Sequence, residues 1–245
     1  MLGQTDAVWG QPGIISGELS ARLGLGGIPP LAEALAIERD LRLVEMTGVK
    51  AHFDMVTSTE GVEAIRAAKA RGLAVTAGTG IAYATLTDIA IGDYRTHAKL
   101  HPPLRPDRDR LAVIAGLADG TLDTLVSDHR PVDTDNKRVP FEQAEPGMVG
   151  LETFLSLALS LEDQGVSKAR LIEAITTAPA GIFGLESGIY PNARADLTLV
   201  DLDRPRRLTE NRLHSRCRNF NYEGIPARGV VLKTYVGGRL VFERA

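Results

Sequence analysis

Between residues 49 and 176 short apolar runs alternate with longer stretches of helical periodicity, and nothing else in the chain limits its fold as much. Strand-like runs fall at 49–56, 73–77, 96–100 and 122–127. Helical stripes fall at 31–47, 59–71, 107–117, 152–161 and 168–176, with a shorter one over 86–91. In the second stripe Val62, Ile65, Ala68 and Lys69 recur at helical spacing, Thr57-Ser58-Thr59 supplies a cap and Gly72 a stop. Pro29 and Pro30 open the first stripe and Gly48 closes it. Alternation of this kind predicts a parallel sheet covered by helices. Ligand sites in such sheets lie at the carboxyl ends of the strands. Here those ends carry residues 52–55, residues 78–83, His101 and Asp128-His129.

The flanks differ. Residues 1–30 are rich in glycine, serine and proline and read as loop, with a turn of helix around 18–23. The expectation is that a partner orders them or that the domain's first part lies outside this polypeptide. Toward the other end, 197–201, 229–235 and 239–243 read as strands, the last two joined by a Gly237-Gly238 hairpin. The chain therefore divides into an α/β unit over 1–190 and a small β-rich appendage over 191–245.

A formal net charge of -3 gives no basic excess to suggest a nucleic-acid partner, although net charge does not exclude a local patch. Cys217 is the single cysteine, so no intrachain disulfide forms, which suits a reducing compartment. There is no apolar run of membrane-spanning length and no secretory signal in the first ten residues, so the expected location is the cytoplasm.

Five polar groups stand at strand ends: His52, Asp54, His101, Asp128 and His129. A catalytic zinc needs three converging ligands and an open position, and these come from different strands. No HxH or HExxH pair is present, so spacing alone does not identify a metal site. Asp128 could serve as a ligand or a general base, or Asp128-His129 could simply order a loop. His52 fits a structural hydrogen-bonding role as well as ligation. Arg105, stiffened by Pro102 and Pro103, could clamp a carboxylate or cap the sheet rim. GxSxG, Walker A and GxGxxG elements are absent, and Gly78-Thr79-Gly80 is too short for a dinucleotide fingerprint.

Several segments occur in an order and spacing that point to a family. They are Gly27-Ile28-Pro29, Glu38-Arg39-Asp40-Leu41, the stretch from Val62 to Gly72, Pro102-Pro103-Leu104-Arg105 and Asp119-Gly120-Thr121-Leu122-Asp123. Ser127-Asp128-His129, Pro140-Phe141, Gly150-Leu151-Glu152-Thr153 and Ala195-Asp196-Leu197 follow. From about Gly24 to Glu243 the chain resembles the dihydroorotases of the amidohydrolase superfamily, of the longer type that associates with aspartate transcarbamoylase. The resemblance implies the C-terminal half of a TIM-like (β/α)8 metal-dependent hydrolase barrel plus a small β appendage. It also implies zinc-assisted opening or closure of a cyclic amide, with Asp128 as the proton-handling aspartate and His101, Arg105 and His129 toward substrate.

The same resemblance exposes departures. Met55 stands where the family places a zinc-ligand histidine, and Ile81-Ala82-Tyr83 stands at its Pro-His-His stretch. His101 replaces a substrate-binding asparagine, and Val132 a substrate-contacting histidine. The family's first-strand histidines and bridging lysine belong to a region preceding these residues. A thioether is a poor zinc ligand beside imidazole. The resulting expectation is a non-catalytic dihydroorotase-like protein, binding no metal, with Asp128 idle. Its expected partner is aspartate transcarbamoylase, a second copy of itself or a separate N-terminal barrel half. Two alternatives stand beside it. One is a zinc-dependent cyclic amidohydrolase using His52, His101, Asp128 and His129. The other is an incomplete piece of such an enzyme.

Overall fold

The computed structural model describes residues 13–244, so the loop-like reading of residues 1–12 lies outside them. Helix α1 (Glu18–Leu23) sits between Ile15 and Ile28, which form a parallel bridge. Helix α2 (Ala32–Thr47) follows and ends on Gly48, whose φ of 68° is the left-handed conformation glycine takes without penalty. Its Ile37, Leu41 and Val44 are spaced to form one stripe and are all buried. Each contributes roughly 1.5–3 kcal/mol relative to exposure.

The sheet predicted by the alternation is present. Strand β1 (Ala51–Phe53) pairs in parallel with β2 (Val75–Gly80), with His52 opposite Thr76. Strand β2 pairs in parallel with β3 (Thr124–Val126), with Gly80 opposite Val126. The crossovers carry α3 (Thr59–Ala70) and α5 (Asp107–Ala118). Ser58 caps α3 by accepting a hydrogen bond from the Gly61 N–H, as read from the sequence. A short helix, α4 (Ile81–Thr85), begins directly where β2 ends. Gly78 lies so close to β3 that a Cβ there would fall 2.1 Å from Thr124 Oγ1.

One strand expectation fails. The run over 96–100 contains a 3-10 helix (Thr96–Ala98), not a strand. The Ala98 and Lys99 N–H groups bond back to Arg95 and Thr96, so this backbone needs no sheet partner. Past β3 come α6 (Thr134–Lys137), α7 (Phe154–Ser160), α8 (Lys168–Ile175) and α9 (Thr177–Phe183). The last was not legible in the sequence.

The C-terminal strands form a separate antiparallel sheet, β4 (Leu197–Arg207), β5 (Pro226–Val236) and β6 (Arg239–Glu243), in that order. Gly237 and Gly238 both have positive φ, as a two-residue hairpin requires. This sheet is docked on the α/β unit. The Ser156 hydroxyl of α7 donates to the Gly229 carbonyl of β5, and Arg228 pairs with Glu162 at 2.8 Å. The segment between β4 and β5 returns to the main core, burying Leu208, Leu213, Phe220 and Tyr222 there. Among the described residues no helix is long and apolar enough to cross a membrane.

Candidate functional site

The three parallel strands bring Asp54-Met55, Ile81-Ala82-Tyr83 and Asp128-His129 to one end of the sheet. Met55, Ala82 and Tyr83 are buried. A Cβ on Gly80 would meet the Met55 sulfur at 3.3 Å and the Tyr83 ring at 3.2 Å, so the thioether and the phenol ring crowd the end of β2. The Tyr83 hydroxyl donates to the Pro102 carbonyl at 2.7 Å. Burial, and secondarily the charge on Asp128, raises its pKa well above the ordinary phenol value, so it stays protonated. Val132, in the loop after Asp128, is also buried.

Asp128 lies in the left-handed region, with φ of 42°. Its carboxylate accepts from Arg130 Nε at 2.9 Å. Burial raises its pKa; Arg130 opposes that, while Asp54 raises it and His101 lowers it to a smaller degree. Asp54, His101 and Asp128 therefore share one electrostatic neighbourhood. His101 is buried and precedes a cis bond to Pro102.

The other predicted residues go elsewhere. His129 Nδ1 accepts hydrogen bonds from the Gly150 and Leu151 N–H groups at 3.2 and 3.3 Å. This assigns the ring proton to Nε2 and makes the histidine a cap for the turn at Leu151–Thr153. His52 bonds through Nδ1 to Thr76 Oγ1 at 2.8 Å and lines a different cavity, against Thr177, Ala178 and Gly181 of α9. Burial lowers its pKa, with Asp54 opposing. Arg105 is buried, donating to Glu33 at 3.1 Å and to Thr57 Oγ1 at 3.0 Å. These bonds tie the guanidinium to α2 and to the segment before α3.

Among the described residues no group of three His, Cys, Asp or Glu side chains is placed to hold a metal ion. Around Asp128 the available groups are carboxylates, one buried imidazole, a thioether and a protonated phenol, and these do not fit zinc. Sequence reasoning overlooked Glu33, which accepts hydrogen bonds from Thr57, Ser58 and Arg105. Its partners lie more than twenty residues away, and only its place in the first turn of α2 marked it.

Comparison with known proteins agrees with the fold. The amidohydrolase family model matches residues 100–241, and the chain belongs to that family. Within it, the chain is 43% identical to the dihydroorotase of Desulforapulum autotrophicum over 229 residues, covering 93% of this chain and 54% of that protein. Identity to the dihydroorotase of Pelobacter propionicus is also 43%, over 230 residues, covering 93% and 54%. The chain thus spans about half the length of these curated relatives. The L-hydantoinase (dihydropyrimidinase) of Arthrobacter aurescens superposes with a TM-score of 0.80 at 29% identity, covering 98% of this chain and 53% of that one. A D-hydantoinase from Thermus sp. reaches 0.81 at 24% identity over 88% of this chain and 49% of its own, a likeness of fold.

Proposed function

We propose that this chain is a non-catalytic dihydroorotase-like protein of pyrimidine biosynthesis that supports the assembly of aspartate transcarbamoylase. One observation carries the reading: the strand ends around Asp128 are packed with Met55, Ala82 and Tyr83. Met55, Ala82 and Tyr83 offer no imidazole to a zinc ion, and without a Lewis acid Asp128 would have no activated water from which to take a proton. Support for a partner comes from the end of α9 and the residues that follow it, where Phe183, Leu185 and Ile189 are 72%, 66% and 90% exposed. Large apolar groups left this open mark association surfaces.

A second reading, a dihydroorotase-type zinc amidohydrolase, is favoured by the names of the relatives and by the raised pKa of Asp128 beside Asp54 and His101. The test separates the two. The purified chain is dialysed against micromolar zinc, analysed for metal, assayed with dihydroorotate and run on a sizing column with aspartate transcarbamoylase. The proposal expects no stoichiometric zinc, no turnover and co-elution. Stoichiometric zinc with turnover establishes the enzyme instead, and separate elution removes the assembly role.

A further inference from the structure

Residues 204–218 contain six arginines and one acidic residue, Glu210, in a chain whose net charge is negative. The function proposed above makes no use of them. Four of the six, Arg204, Arg206, Arg207 and Arg212, line a cavity of about 550 Å³ between β4, β5, β6 and the turn before α7, and Arg244 joins them from beyond the end of β6. A volume of this size is typical of a small-molecule site.

The charge in this cavity is unbalanced. None of the five arginines makes an ion pair among the described residues. Glu152 is the single carboxylate in the lining, and its oxygens are held by His214, which lines the same cavity, and by Ser215. It accepts the His214 N–H, the His214 ring nitrogen and the Ser215 N–H at 2.8–2.9 Å. Burial first, and then the neighbouring Arg244, hold the Arg206 pKa below its ordinary value; Arg212 adds to this and Glu152 opposes it. Guanidiniums this close repel one another, and a bound anion relieves that repulsion.

The arginines are also held in place. Arg244 Nε donates to the Val231 carbonyl at 3.0 Å, and Arg207 Nη1 to the Gly224 carbonyl at 2.8 Å. Arg206 Nη1 reaches the Glu152 carbonyl at 3.4 Å. Each anchor uses one N–H and neutralises no charge, leaving the rest of the fork for a ligand. Leu151, Leu155 and Phe242 add an apolar wall beside the cationic one.

We infer that this cavity binds a small phosphate-bearing ligand with at least two phosphoryl groups, its apolar portion against Leu151, Leu155 and Phe242. A carboxylate satisfies one guanidinium fork. Several guanidiniums lining one cavity match the many oxygens and concentrated charge of linked phosphates. The cavity is lined by other residues than the strand ends around Asp128, so the site stands or falls independently of the non-catalytic reading.

The test is calorimetric titration of the full chain with inorganic pyrophosphate at low ionic strength. The expected result is saturable binding at a single site. Arg206→Ala with Arg244→Ala should weaken it by at least about tenfold. Arg212→Glu should do likewise; Arg212 is exposed and makes no side-chain hydrogen bond among the described residues, so it keeps the test valid if the double variant fails to fold. Arg216→Ala, outside the lining, should bind as the unsubstituted chain does. Absence of saturable binding overturns the proposal, as does unchanged affinity in Arg212→Glu. Citrate binding as tightly as pyrophosphate overturns the phosphate assignment. Affinity rising steadily with the length of a single-stranded oligonucleotide would replace the small ligand with a nucleic-acid surface.

Discussion

Removing either side of the buried contact between Glu33 and Arg105 has a cost that follows from its hydrogen bonds. Their side chains are 12% and 4% exposed. Glu33 Oε1 accepts the Thr57 N–H at 2.9 Å, the Ser58 N–H at 2.8 Å and the Ser58 hydroxyl at 2.6 Å. Its Oε2 accepts the Thr57 hydroxyl and Arg105 Nη2. In Glu33→Gln the amide oxygen keeps the first three donors, and its NH2 group then faces the other two. The Thr57 hydroxyl can rotate to accept; the guanidinium cannot. A charge-assisted bond worth about 1.5–3 kcal/mol is lost, and a buried cation is left uncompensated, which brings breaking one side of such a pair to about 3–5 kcal/mol.

The expected cost is therefore about 3 kcal/mol for Glu33→Gln and a similar loss for Arg105→Met. The double variant should lose less than the sum by about 1.5 kcal/mol or more, because the second substitution removes the group orphaned by the first. Urea midpoints at pH 7 with unchanged m-values measure all three. If the single costs stay below about 0.5 kcal/mol and add within that error, the pair is absent in solution. Arg105 would then be open to a ligand, as the reading of it as a substrate clamp requires.

Two further variants probe the packing and the buried charge. A Cβ at Gly229 falls 2.4 Å from Leu159 Cδ1 at a φ of +90°, so Gly229→Ala should cost about 2–4 kcal/mol, and a urea midpoint within about 0.5 kcal/mol of the parent would mean that the C-terminal sheet is not docked on α7. Burial, aided by the nearby Lys99 and opposed by Glu145, lowers the Lys137 pKa to about 8, below its unfolded value. The unfolded chain then binds more protons above that pH, so stability should rise as pH climbs from about 8 toward about 10. Lys137→Met should reduce the rise, leaving the part due to Lys99, whose pKa burial also lowers, and an unchanged rise in this variant would refute the burial.

Much of the fold was legible because its signals are local. Helix α3 announces itself through Val62, Ile65 and Ala68, a serine cap and Gly72, and it begins at Thr59 as read. The hairpin at Gly237-Gly238 follows from two adjacent glycines. The misses have physical causes. Strand β4 runs to Arg207 across Pro205, an interruption that argues against a strand; the ladder absorbs it with a register shift between Asp201 and Pro205. Helix α9 contains Pro179 in its first turn, where the missing N–H leaves no helical bond unmade, but alanines and a glycine give it no apolar stripe. The candidate site was harder to read because its partners are distant in sequence: nothing near His129 points to the Gly150 N–H, and nothing near Arg105 points to Glu33.

The residues that carry the family resemblance separate by use once their contacts are known. Asp123 accepts the Ala77 N–H at 2.7 Å and the Lys69 ammonium at 2.6 Å, tying β2 and α3 to the start of β3. Glu152 holds the His214 and Ser215 backbone, and Arg105 holds Glu33. These contacts maintain the fold whether or not a reaction takes place. The positions where the resemblance fails, Met55, Ala82, Tyr83 and Val132, are buried. An identity of 43% to a dihydroorotase can therefore rest in good part on scaffold contacts of the first kind. Metal content and dihydroorotate turnover of this chain, not its likeness to its relatives, decide whether the strand ends still do chemistry.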